Sequence, residues 1–179
     1  MVGRQATRSK GGSSRSAHSP RADSWREGPA PSSQAAPSTR STPTKQHQQV
    51  CQRLTSALLN VVPDGYEVVS GWAWLPAAEQ FVPDVMVTAA TDETARYTGV
   101  PALVIEVLAG DRAADLVTKT TKFAAAGLDH FWVVDTADAA ITCFVRDGAD
   151  YRTEQVLTAN GRLDFDIESV NLDVRTLLG

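Results

Sequence analysis

The run Ala102-Leu103-Val104-Ile105-Glu106-Val107-Leu108 constrains this chain more than any other stretch. Its length and near-continuous apolar character read as a central strand covered on both faces. Such a strand should not hold a lone carboxylate, because taking an unpaired charge out of water is costly. Glu106 therefore needs a partner: a metal, a lysine or a hydrogen-bond network. A second apolar run, Val82-Pro83-Asp84-Val85-Met86-Val87, carries a second acid. If the two runs pair as neighbouring strands, Asp84 and Glu106 can approach each other on one face. Two close carboxylates repel unless a cation lies between them.

The segments around these runs supply the layers. Downstream, Ala109-Gly110 turns the chain and Asp111 is placed to cap a helix over 112–126, closed by Gly127. Leu116, Phe123, Ala124 and Gly127 give that helix a packing side, and a strand over 130–134 follows, ending at Asp135. A strand–helix–strand crossover of this kind lays its helix on the sheet with right-handed connection. Upstream, Thr42 as cap and Pro43 at the first helical position predict a helix start. Val50, Leu54, Leu58 and Val61 recur at helical spacing, with Ala57 on the same stripe, until Pro63-Asp64-Gly65 turns the chain. Strands are predicted at 66–70, 72–75 and 81–88. Near the C-terminus, runs at 141–146 and 151–157 flank Asp147-Gly148, a hairpin signal. An edge strand is predicted at 163–167, and a last short helix capped by Asn171 and ending at Leu178. The order is helix, three strands, helix, strand, then a hairpin: an α/β sandwich, not a bundle or a barrel.

Composition divides the 179 residues in two. Residues 1–43 are rich in Ser, Pro, Arg, Gly and Gln and contain no Ile, Leu or Phe. They cannot bury enough surface to offset the entropy of ordering, so a disordered tail is expected. The tail holds seven Lys/Arg against two acids, a net +5, and the remainder ten against nineteen, a net −9. Residues 44–179 are the size of one ordinary domain and long enough to bury a core without staples. An acidic body argues against a domain that coats DNA by charge alone. It does not exclude a nuclease that meets the phosphate through a metal. Cys51 and Cys143 make no disulfide framework, and His18, His47 and His130 show no zinc-ligand spacing among themselves. No apolar run is long enough for a membrane span or a secretory signal, so a cytoplasmic protein is expected.

The acid pair suits Mg²⁺, which takes one or two carboxylates, several waters and substrate phosphate oxygens. A lysine nearby would orient the attacking water or stabilise the transition state. Lys119 is the candidate, on the helix directly after the Glu106 strand.

Pro83-Asp84, then Val104-Ile105-Glu106-Val107-Leu108, then Arg112-x-x-Asp115-x-x-x-Lys119-x-x-x-Phe123-x-x-x-Gly127-Leu128-x-x-Phe131-Trp132-Val133-Val134-Asp135, resembles the Uma-two putative restriction endonuclease family of the PD-(D/E)XK nuclease superfamily. The resemblance covers residues 44–179, including the closing Leu172-x-x-Arg175-x-Leu177-Leu178. It implies a restriction-endonuclease-like αβββαβ sandwich with a C-terminal β hairpin, and a metal-dependent endonuclease hydrolysing DNA. Asp84 and Glu106 map to the acid pair that holds Mg²⁺ or Mn²⁺, with help from the Val107 backbone carbonyl. The superfamily's usual lysine, two residues after the second acid, falls on Leu108; the family's displaced lysine maps to Lys119. Superfamily enzymes that cut both strands are often dimers, which points to a homodimer. Two departures stand out: Ala109-Gly110-Asp111 replaces a Ser-Pro-Ser-like turn, and Phe123 replaces the usual Tyr.

Plainer readings compete at each position. Asp84 could be a strand-end turn residue. Asp115 and Lys119 could form an ordinary i,i+4 surface pair worth about 0.2–0.5 kcal/mol. Lys122 is the rival lysine, Asp135 reads as a strand-end turn residue, and Trp72, Trp74 and Trp132 read as core aromatics. Gln46 and His47 lie on the first helix, where related nucleases often place an extra acid, yet 44–60 holds no Asp or Glu. The competing function is a nuclease-fold module without catalysis that binds nucleic acid or a protein partner. A further idea makes the basic tail the nucleic-acid contact.

Overall fold

The computed structural model describes residues 43–108 and 113–179, with side chains from 116 onward in the second stretch. The predicted tail up to Thr42 and the turn and cap at 109–111 lie outside the described residues. The elements run α1 (Lys45–Leu59), β1 (Tyr66–Ser70), β2 (Val85–Ala89), β3 (Leu103–Leu108), α2 (Ala113–Ala125), β4 (His130–Asp135), β5 (Ala140–Asp147), β6 (Asp150–Leu157), β7 (Asn160–Phe165), β8 (Glu168–Asp173) and α3 (Val174–Leu178). One six-stranded sheet has the order β1-β2-β3-β4-β5-β6, and β7 and β8 form a separate two-stranded sheet. Among the described strands of this sheet, β3 and β4 are parallel, joined across α2, and the other neighbouring pairs are antiparallel. The expected αβββαβ order and the hairpin about Gly148 are both present.

Alternation along the central strands sorts two cores. Val85, Val87, Leu103, Ile105, Val107, Trp132 and Val134 face α1, meeting Val50, Leu54 and Leu58. Met86, Val104, Phe131 and Val133 face the other way, meeting Phe123 and Leu128 with Trp74 and Phe81. Successive strand residues point to opposite faces, so Glu106 shares the α2 side with Val104. Phe123 is the hub of that layer, with ring centroids 5.4, 5.1 and 5.3 Å from Trp74, Phe81 and Phe131. Trp74 and Trp132 are fully buried, as core aromatics. Gly127 has a φ of 81° and closes α2. Its N–H reaches the Ala124 carbonyl while Leu128 N–H reaches that of Phe123, the pairing of a Schellman turn.

Several element boundaries differ from the sequence expectation. The first helix is capped by Thr44, whose hydroxyl accepts the His47 N–H at 3.2 Å, and Pro43 precedes the helix. The strand predicted over 81–88 begins at Val85, because Pro83 has no N–H to give a ladder. Phe81 instead makes an isolated bridge with Trp74, which replaces the strand predicted at 72–75. The predicted edge strand at 163–167 is not an edge of the main sheet. It belongs to β7, which pairs with β8 and buries Leu163, Phe165, Val170 and Leu172 in the α1-side core. Asn171 therefore lies in a strand, and Asp173 caps α3 by accepting the Thr176 N–H at 2.9 Å.

That amide, with lesser help from the Arg175 charge, holds the Asp173 carboxyl below its ordinary 3.8. A depressed folded-state pKa contributes stability that is present above the ordinary value and is lost as pH falls through the folded value. Melting temperature followed below neutral pH should therefore fall less steeply for Asp173→Asn than for the unmodified chain across that acid window. Parallel curves would assign the acid response to other carboxylates.

Candidate active site

The site forms where β2 and β3 part. Their last paired residues are Val85 and Ile105, and one further step of that register opposes Asp84 to Glu106. Asp84 lies just before the start of β2, so its side chain is not held to the face of Met86 and instead turns into the end of the ladder. With the ladder ended, the Val107 N–H donates to Asp84 Oδ2 at 2.8 Å. In a strand, the N–H and C=O of one residue point to the same edge, so the Val107 carbonyl also faces the gap. Gly71 N–H donates to the Asp84 carbonyl at 3.2 Å and ties the residue to the β1 side.

Helices α2 and α1 each send a side chain to one acid. From α2, Lys119 Nζ donates to Glu106 Oε2 at 2.9 Å. The Glu106 side chain is 7% exposed and that of Lys119 is 26% exposed, so the pair runs from the core to water. From α1, His47 Nε2 lies 3.1 Å from Asp84 Oδ2. That contact is proximity without alignment: Nε2 is wholly buried and no described group makes a hydrogen bond with it. One helical turn on, Cys51 Sγ is 3.7 Å from His47 Nδ1. Potential ligand atoms of His47, Cys51 and Asp84 all lie within 4.8 Å of one another.

Burial first, then the Asp84 charge, pushes the Cys51 thiol up to about 12, with Glu106 adding to the effect. Burial, with a smaller push from Glu154, raises Cys143 to about 12 as well. Thiol reagents attack the thiolate. At neutral pH a maleimide should therefore leave both cysteines untouched in the folded protein and modify both in urea, as read by mass spectrometry. Modification of Cys51 in native buffer would mean that α1 lifts off the sheet.

The structure thus brings Asp84, Glu106, Val107 and Lys119 to one place. Two other sequence candidates, Lys122 and Asp135, go elsewhere. Lys122 pairs with Glu79 on the loop before Phe81. Asp135 Oδ1 accepts the N–H groups of Ala137 and Asp138, the work of a turn residue. Gln46 is exposed, and the Asp115 side chain lies outside the described residues. His47, a minor candidate in the sequence, lies beside Asp84 in the structure. Its signal was the four-residue spacing to Cys51, which stacks both side chains on the buried face of one helix.

A mixed sheet between two helices, with paired acids where two strands part, belongs to the restriction-endonuclease-like nuclease fold. The family model for Uma2, described as putative restriction endonuclease, matches residues 39–175, and the chain belongs to that family. The chain is also similar in fold to a putative nuclease of DUF820 from Anabaena variabilis. The two share 14% identity at a TM-score of 0.63, over 76% of this chain and 82% of the other. No functionally curated protein matches the chain. Among the described residues no helix is long and apolar enough to cross a membrane.

Proposed function

We propose that the chain is a divalent-cation-dependent endonuclease that hydrolyses DNA phosphodiester bonds. The observation that carries this reading is the meeting of two acids and a lysine at the diverging end of β2 and β3, with Lys119 Nζ 2.9 Å from Glu106. Asp84, Glu106 and the Val107 carbonyl would hold Mg²⁺ or Mn²⁺, because hard cations take oxygen ligands. A carboxylate offers about four lone-pair sites, so the Val107 N–H does not exhaust Asp84. When bound, the ion supplies charge neutralisation at the phosphate and a more acidic water. The chain's own groups do the rest. Val107 N–H fixes the Asp84 carboxylate. Lys119 holds Glu106 in place and offers N–H donors to the attacking water or to charge growing on a phosphate oxygen.

A homodimer would present two such sites and cut both strands. Two free buried cysteines suit a reducing cytoplasm. The test is paired: calorimetric titration of the metal-stripped protein with Mn²⁺ and Mg²⁺, then incubation with supercoiled plasmid. Saturable binding together with cation-dependent nicking or linearisation supports the reading. Binding of neither ion by folded protein, with plasmid intact across salt conditions, would leave a nuclease-fold module that binds a partner without cutting.

A further inference from the structure

We infer that His47 is a nitrogen ligand of the cation held by Asp84, and that it gives the centre a preference for transition-metal ions such as Mn²⁺ or Co²⁺ over Mg²⁺. The inference rests on the reading of Asp84 as a cation ligand and adds the donor that the acid pair lacks.

Three observations converge. First, His47 is only 3% exposed, yet its Nε2 has no aligned hydrogen-bond partner among the described residues. A buried polar atom left in that state is unfavourable unless something else engages it. Second, Nε2 points its proximity at Asp84, with 3.1 Å between nitrogen and Oδ2. Adjacent ligand atoms on an octahedral ion lie about 3.0 Å apart when the bonds are about 2.1 Å. The spacing is that of two donors sharing one ion. Third, Cys51 Sγ sits 3.7 Å from the opposite ring nitrogen. Of the two tautomers this contact allows, the one with its proton on Nδ1, facing that sulfur, presents the Nε2 lone pair toward Asp84. Metal-bound histidines are commonly oriented through their second nitrogen in this way. In that tautomer the lone pair and the carboxylate oxygen at this distance repel each other unless a cation lies against both.

The consequence for selectivity follows from ligand type. Carboxylate, carbonyl and water oxygens serve Mg²⁺ and Mn²⁺ alike, whereas imidazole favours the transition ions. Asp84 keeps 17% of its side chain exposed, so an ion has a way in, while the imidazole is held at 4%. The helix supports the placement independently: Thr44 caps α1 through the His47 N–H itself, which fixes the start of the helix relative to the ring.

The experiment uses the full chain stripped of metal, with Mn²⁺ alone as the probe. Pulsed electron spin-echo spectra of the Mn²⁺ complex should show modulation from a directly bound ¹⁴N. Calorimetry should show Mn²⁺ binding at least about tenfold tighter than Mg²⁺. His47→Gln should lose the nitrogen modulation and at least about tenfold in Mn²⁺ affinity, the loss that even an outer partner of a ligand gives, with Mg²⁺ affinity little changed. Circular dichroism checks its fold. His18→Gln and His130→Gln should keep the modulation. Mn²⁺ bound without nitrogen coupling in the unmodified chain overturns the inference and leaves the acid-pair reading intact. The wild-type spectrum decides this even if His47→Gln fails to fold. Mn²⁺ that stays bound in Asp84→Asn overturns both readings.

Discussion

Glu106→Gln and Asp84→Asn should each lower DNA cleavage by about 10³-fold or more while leaving the fold intact. The size follows from what is removed. Each amide keeps the shape of its parent but deletes a formal charge, and a hard cation loses one of its anionic ligands. Losing one preorganised electrostatic group at a reacting phosphate typically costs 10²–10³-fold, and losing the ion removes more. A 10³-fold loss corresponds to about 4 kcal/mol of transition-state stabilisation. The fold should survive because Asn at 84 can still accept the Val107 N–H, now made at 2.8 Å. Gln at 106 can likewise accept from Lys119, and neither change creates a cavity. The measurement is the single-turnover rate on linear duplex at saturating Mn²⁺, beside Mn²⁺ calorimetry and circular dichroism. A folded Glu106→Gln that cuts within a few-fold of the unmodified rate would remove Glu106 from the chemistry. It would make the Lys119 contact a structural one.

The sequence made the architecture legible where periodicity and punctuation agreed. Val50, Leu54 and Leu58 lie on the buried stripe of α1, as their spacing predicts. Gly127 ends α2 because a positive φ is needed there, and Gly148 marks a hairpin for the same reason. The acid in β3 announced a partner, and Lys119 is that partner in the fold. The errors have physical causes. Val170 and Leu172 alternate in the manner of a strand, yet Asn171 between them has the residue type of a helix cap. A short segment holding two apolar residues does not separate the two periods, and only pairing with β7 decides between them. Trp74 lies in a strand-like run and instead makes isolated bridges, held by its indole N–H to the Gly99 carbonyl at 2.8 Å. That contact is long-range and invisible to local pattern. The nearness of His47 to Asp84 is illegible in the sequence for another reason. A histidine near a helix start reads as a polar surface residue until tertiary packing turns it toward Asp84, which is 37 positions away.

The Glu106–Lys119 pair predicts opposite effects on stability and activity. Lys119→Met should destabilise the chain by about 2–4 kcal/mol. The variant removes the ammonium that donates to the Glu106 carboxylate in a largely apolar strand, and breaking one side of a fully buried pair costs about 3–5 kcal/mol. A value below that range is expected because the lysine is 26% exposed, which lets water reach and screen the pair. Glu106→Leu with Lys119→Met should behave differently. Replacing both charges with apolar groups of similar volume removes the desolvation penalty along with the attraction. Such exchanges are often neutral or stabilising by about 1–4 kcal/mol. Leucine at 106 would extend an α2-side layer that already holds Val104, Val133 and Phe123. Both variants should be inert toward DNA, the single through loss of the lysine and the double through loss of the acid as well. Urea unfolding followed by circular dichroism gives the three midpoints, and an unchanged slope licenses the comparison. A double variant as unstable as the single would show that the charges hold β3 to α2, and the pair would then belong to the fold. A stable, inert double variant would mean that this strand tolerates a buried acid because the chemistry at the gap between β2 and β3 requires one.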